Sequence, residues 1–310
     1  MFYASHYIEN FKVDYNKKIN ILIAVSGETR CFNAVTHHHL KFFKEKLESL
    51  NNNVFVIGHT WKHCPPIDKQ HYRLFDALEV ADQKIIDDWV LEDFLTRCPN
   101  HSTNSFNITQ SNQRVDIKNK ESIDTALKLA RYSWGQHWSA FASFKKYKQT
   151  KFKTRQSPPY DILIRWRWDN SVSLEHYKTF MPANIELEES IFELFFNYLN
   201  SRIRMINFHG DRPIGITDGA SSIATEEDQQ FLPIEFGAPI LNDRFIIFNN
   251  QAANILRDTN FPDLLELLYK YSFRKQNFEG HTLWYTLLLN LGINMNLDLP
   301  IFINLMRHDT

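Results

Sequence analysis

The stretch YDILIRWRWDN, residues 160–170, ends an apolar run in two arginines, two tryptophans and an aspartate. An extended chain puts alternate residues on one face, so Asp161, Leu163, Arg165, Arg167 and Asp169 share one side and Ile162, Ile164, Trp166 and Trp168 the other. The apolar side reads as core. On the opposite side two guanidiniums flank a carboxylate, a set that holds a diphosphate, with Asp169 ligating a divalent metal that bridges the same phosphates. The competing reading is an internal Arg–Asp pair that satisfies only itself.

A second stretch, SGETR at 26–30, follows the apolar run INILIAV. Ser26 and Gly27 let the backbone approach a ligand closely, and Arg30 adds a fixed positive charge. One glycine falls short of a dinucleotide or Walker fingerprint. Trp61, which closes VFVIGHTW, offers a face for a base or sugar ring, and a tryptophan at a strand end is about as often core. Two acids are candidate proton acceptors: Asp243 in LNDRF and Glu279 in EGHTLW. A turn or cap role competes for Asp243, and a first-turn acid complementing a helix dipole competes for Glu279.

Other constellations are weaker. His59, His63 and Cys64 lie close in sequence, but zinc would need a second cluster at suitable spacing, and Cys98 with His101 would have to come from a distant loop. The run HHH at 37–39 falls in a predicted helix, where consecutive side chains diverge, so it does not chelate as a unit.

The elements that must position these residues follow from periodicity. Short β-branched apolar runs predict strands at 19–26, 54–61, 160–168, 203–208 and 244–249, with a last one in LPIFINLMR. Intervals of three and four predict helices at 35–50, 85–95, 121–149, 188–200, 250–257, 262–272 and 279–291. Polar stretches at 97–113 and 209–230 read as loops. The early order β, α, β predicts a parallel pair with a crossover helix. Ligands of such sheets bind outside the carboxyl ends of the strands, where the charges of 165–169 fall.

Composition sets the outer bounds. The 310 residues are 43% hydrophobic, enough to bury a large core as one α/β domain. Formal net charge is -1, from 35 Lys plus Arg against 36 Asp plus Glu, so no global field points to nucleic acid or an acidic membrane. The odd, widely spaced Cys31, Cys64 and Cys98 fit a reducing, cytoplasmic compartment. No signal peptide and no run of about 18 apolar residues for a membrane span is visible.

Taken in order, SGETR, VFVIGHTW, YDILIRWRWD, LNDRFIIFNNQAANIL and FEGHTLWYTLLLNLGI resemble a diffuse family of bacterial and viral glycosyltransferases that includes lipopolysaccharide-core transferases. The resemblance implies a GT-A type α/β fold: one Rossmann-like, mostly parallel sheet flanked by helices, with residues 1–170 binding the nucleotide sugar and a more helical acceptor half at 171–310. It implies sugar transfer from a nucleotide-sugar donor to a glycan or lipid-linked acceptor. Ser26, Gly27, Arg30, Trp61, Arg165 and Arg167 would hold the donor, Asp169 a manganese or magnesium ion, and Asp243, ahead of Glu279, would be the base. Two departures stand out. Asn170 and Ser171 follow Asp169 where better-known GT-A enzymes have Asp-x-Asp, which leaves metal dependence open, and Asn53 stands where the family pattern has Asp. The alternative that this raises is a non-catalytic nucleotide-sugar or glycan binding module on the same fold.

Overall fold

The computed structural model describes residues 14–82, 84, 88, 105–108, 113–116, 135, 139–140, 142–143, 160–172, 185–209, 211–218, 220–223, 226, 239–241, 244–259, 284, 287–297, 299 and 303–305. Strand β1 (Ile19–Ser26) leads through a short π-helical turn (Phe32–Thr36) into α1 (His37–Ser49), then β2 (Asn52–Trp61), a 3-10 turn (Lys69–Leu74) and β3 (Ala77–Ala81). A hairpin of β4 (Ser105–Ile108) and β5 (Gln113–Asp116) precedes β6 (Ile162–Arg167) and β7 (Asn170–Val172). The long helix α2 (Ile185–Phe208) follows, then β8 (Ile214–Thr217), β9 (Ala220–Ile223), β10 (Pro239–Leu241), β11 (Phe245–Asn249), α3 (Asn250–Asp258), β12 (Asn294–Asn296) and β13 (Ile303–Leu305).

Seven strands form one sheet in the order β12-β8-β11-β6-β1-β2-β3. All run parallel to β1 except β11, which pairs antiparallel with both β6 and β8. The protein is therefore α/β with a mostly parallel, Rossmann-like sheet, and strands from both halves of the chain join it. From β1 the chain steps outward to β2 and β3, then returns to lay β6 on the other side of β1. That reversal opens a crevice at the carboxyl ends of β1 and β6.

Both sheet faces are covered, which explains why β6 is buried along its whole length and β1 at every position but Asn20. One face packs Ile21, Ile23, Ile164 and Trp166 against Leu40, Phe43 and Leu47 of α1 and Phe196, Leu199 and Ile203 of α2. Leu22, Leu163, Ile246 and Phe248 line the other face and are likewise buried, as are Ala252, Ala253 and Leu256 of α3, which packs on β6, β8 and β11. One buried guanidinium anchors neighbouring structure. Arg204 donates to the carbonyls of Asp14 and Lys17, both at 2.7 Å, and so ties the segment before β1 to α2.

Several expectations need correction. The predicted helix 188–200 and strand 203–208 are one helix, α2. The alternation of Ile203 and Met205 suggested a strand, but Phe195, Phe196, Leu199, Ile203 and Ile206 form a single buried stripe at helical intervals, and that stripe decides. The predicted loop 209–230 contains β8 and β9, and the predicted loop 97–113 contains β4 and the start of β5. Strand β8 is easily missed because Gly215 interrupts it, yet a Cβ there would overlap Met295 Sδ of β12. The helices predicted at 85–95, 121–149, 262–272 and 279–291 lie wholly or largely outside the described residues. No described helix is long and apolar enough to cross a membrane.

Gly58 on β2 makes room for the aromatic layer under the crevice. A Cβ on it would fall 2.7 Å from Leu78 Cδ1 and 3.1 Å from Trp168 Cη2. Gly58→Ala is therefore expected to destabilise the protein by about 1–3 kcal/mol through overpacking, read as a lower urea midpoint at unchanged slope.

Candidate functional site

The register of the central strands brings the two charged stretches together. Ser26 pairs with Arg167 and Ala24 with Arg165 across β1 and β6, so Ser26, Arg165 and Arg167 share one face at the carboxyl rim. Asp169 sits in the turn that follows β6. Its Oδ1 accepts from Arg167 Nε at 3.0 Å, and its Oδ2 accepts from Arg167 Nη2 at 3.0 Å and Arg30 Nη1 at 2.8 Å. Arg165 stacks its guanidinium 4.9 Å from the ring of Trp284.

The turn after β1 is shaped to deliver Arg30. Gly27 has φ 110°, a conformation that side chains disfavour, and its nearest neighbour for an added Cβ is Trp168 at 4.0 Å, so conformation and not space requires glycine. Arg30 itself has φ 35°, the kind of backbone cost that persists where the surroundings over-determine it. Here they do: Thr29 Oγ1 donates to Pro65 O at 2.8 Å, Phe32 N to Thr29 O at 2.7 Å, and Thr36 Oγ1 to Trp168 O at 2.6 Å. Gly27 N–H donates to Ser139 Oγ at 2.9 Å, whose hydroxyl also meets His59 Nδ1 at 2.7 Å.

Ser26, Gly27, Glu28, Arg30, Arg165, Arg167 and Asp169 line a narrow cleft of ≈ 10 Å³, the room of about one water. The charged face of β6 is thus not an open platform: Arg165 is 2% exposed, Arg167 7% and Asp169 2%. Arg30 and Glu28 stand at the mouth, their side chains 26% and 41% exposed and joined by an ion pair at 3.4 Å. Among the described residues the lining holds three guanidiniums and two carboxylates. Ser26 Oγ is buried there with no hydrogen-bond partner, an orphan that buried hydroxyls normally avoid.

A divalent metal does not fit Asp169 in this arrangement. Both carboxylate oxygens already accept guanidinium N–H groups, so an ion would have to displace Arg30 or Arg167 and then sit beside their positive charge. Among the described residues no group of three His, Cys, Asp or Glu converges as a metal cage. The lining suits an anion.

Trp61 is not brought to the cleft. It is 3% exposed, with its ring edge-on to His59 at 5.2 Å, and it packs under the helical residue Gly135. Asp243 and Glu279 lie outside the described residues. His59 is engaged with Ser139, whereas His63 and Cys64 face each other at the surface, so these three do not converge on a zinc ion. Cys31 and Cys64 are not joined in a disulfide, and burial first pushes both thiols above their ordinary range.

Two rim residues escaped the sequence reading. Glu28 lay inside SGETR but was passed over for its basic neighbour. Asp218 follows β8 in a stretch read as loop; it is 1% exposed, with Arg244 Nε 3.3 Å from its Oδ2, within ion-pair range but not aligned as a hydrogen bond. Burial outweighs Arg244 and pushes its carboxyl up to about 6.

No family model matches the chain, and no curated protein matches it.

The raised Asp218 carboxyl has a stability consequence. Because the folded state holds this proton more tightly than the unfolded chain, its contribution is full below about pH 4 and is lost as pH rises through about 6. The loss is on the order of 3 kcal/mol. Urea titrations of wild type and Asp218→Asn at about pH 4 and 7 should show the variant gaining relative stability at the higher pH by that order.

Proposed function

We propose that this protein is a glycosyltransferase of GT-A type that moves a sugar from a nucleotide-sugar donor to a hydroxyl acceptor. One observation carries the reading: three guanidiniums and an orphaned serine hydroxyl converge at the reversal point of a mostly parallel sheet. That is where an α/β sheet binds a phosphorylated ligand, and arginine forks suit the oxygens of a pyrophosphate.

In this reading the donor enters by swinging Arg30 and Glu28 outward. Arg30 exchanges one partner, Asp169, for a phosphate oxygen, while Arg167 stays fixed by Asp169 and adds its positive charge. Ser26 Oγ donates to the diphosphate. As the glycosidic bond to the leaving nucleoside diphosphate breaks, negative charge builds on the β-phosphate, and guanidiniums already in place stabilise it as it forms. No step needs a metal on Asp169. For an inverting transfer a carboxylate takes the acceptor proton, and the family resemblance assigns that role to Asp243 ahead of Glu279.

A second reading, a non-catalytic nucleotide-sugar or glycan binding module, draws on one specific feature. The lone carboxylate of RWRWDN has both oxygens committed to arginines. Turnover separates the two readings.

The test is a thermal-shift panel of UDP and GDP sugars with EDTA or manganese, followed by assay of nucleotide release with glycan acceptors. A true donor is expected to stabilise the fold by about 2.7 kcal/mol at a hundredfold excess over Kd, in EDTA as well as in manganese. Arg30→Ala should weaken that donor about tenfold or more, as loss of a charge-assisted hydrogen bond does. Binding without nucleotide release would favour the module, and no stabilisation by any nucleotide sugar would overturn both.

A further inference from the structure

A second cavity lies beside α1, separate from the arginine cleft. It has a volume of ≈ 560 Å³, inside the roughly 300–1,000 Å³ of small-molecule sites. His37, His38 and Lys41 of α1 form one wall, and Gln70, His71 and Arg73 of the 3-10 turn form the other. Every polar side chain in that lining is a donor or an imidazole. Phe32 stands between this cavity and the layer beneath the cleft: it meets Trp168 edge-on at 4.8 Å, and His37 and His71 at 6.2 and 6.0 Å.

The three imidazoles form a column. His38 and His37 have ring centroids 3.7 Å apart, and His37 and His71 3.8 Å, with interplanar angles of 40° and 35°. His37 and His38 lie side by side although they are consecutive on the helix, contrary to the expected divergence, and His71, from the 3-10 turn, extends the pair to three. His37 Nδ1 donates to Phe32 O at 3.0 Å, so an added proton goes to Nε2. Burial, and then the neighbouring His71 and His38, push that proton off by lowering the His37 pKa, against the opposing pull of the Phe32 carbonyl and Asp68. Two exposed carboxylates stand just outside the lining, one at His71 and one at Lys41. Asp68 Oδ2 is 4.0 Å from His71 Nε2, and Glu45 is 3.7 Å from Lys41 Nζ.

The geometry points to an oxyanion site in this cavity, one that takes a dianionic phosphate or sulfate group and draws a proton onto the histidine column as it binds. Lys41 and Arg73 supply permanent charge and flexible donors, and Gln70 a neutral one. A dianion between the walls offsets the burial that disfavours the charged form of His37, so protonation and binding reinforce each other. The site is independent of the cleft and of the transferase reading.

Sulfate is the probe, because it stays dianionic throughout the histidine range. It is titrated against chloride at constant ionic strength, at about pH 5.5 and 7.5, with histidine ring resonances and calorimetry in two buffers as readouts. Saturable binding about tenfold tighter at the lower pH, with proton uptake and with His37 and His71 resonances moving, is the expected result. Lys41→Ala and Arg73→Ala, both at exposed positions, should each weaken it about fivefold, and Arg30→Ala should leave it unchanged. Non-saturable shifts, affinity independent of pH, or indifference to both substitutions would overturn the site. Binding lost only in Arg30→Ala would assign the sulfate to the cleft and equally remove this proposal.

Discussion

The rim of this protein is organised around one buried carboxylate. Asp169 is taken out of water at the end of β6, and an isolated ion there would be untenable. Two arginines meet the need, one from the same strand and one from the turn after β1, so the ion cluster staples the carboxyl ends of the two central strands. Removing one partner from such a pair typically costs about 3–5 kcal/mol. The strained φ of Arg30, the glycine at position 27 and the hydroxyl tie from Thr36 to Trp168 all serve to bring that second guanidinium to the carboxylate.

Arg165, Arg167 and Arg30 line the cleft together with Asp169 and Glu28. These guanidiniums, the buried Ser26 hydroxyl and the location at the sheet's reversal point are the features on which the pyrophosphate proposal rests. Beneath them lies an aromatic layer of Phe32, Phe75 and Trp168, packed close because Gly58 carries no Cβ. This layer gives the turn after β6 a rigid floor.

Much of the centre was legible in the sequence because short β-branched apolar runs have few other uses: β1 matches its expected span, and β2, β6 and β11 differ only at their ends. The facing of β6 was legible too, since period-two alternation separates Ile164 and Trp166 from Arg165 and Arg167. Alternation does not say what covers the charged side: Trp284, from far along the chain, stacks on Arg165. The continuity of α2 was hidden by a local alternation at 203–205 that a longer window would have outvoted. Strands β3, β8 and β12 are short, and each takes its stability from its neighbours in the sheet, so local sequence carries little of their signal. Asp218 was missed with the strand that positions it.

The central claim is that guanidiniums held by Asp169 form a seat for pyrophosphate. Titration calorimetry of inorganic pyrophosphate in EDTA, on the wild type and on Arg167→Lys, tests it most directly. The account predicts saturable one-to-one binding without metal, weakened about tenfold when a point charge replaces the planar fork. Binding that requires a divalent cation, or that ignores the substitution, would contradict it.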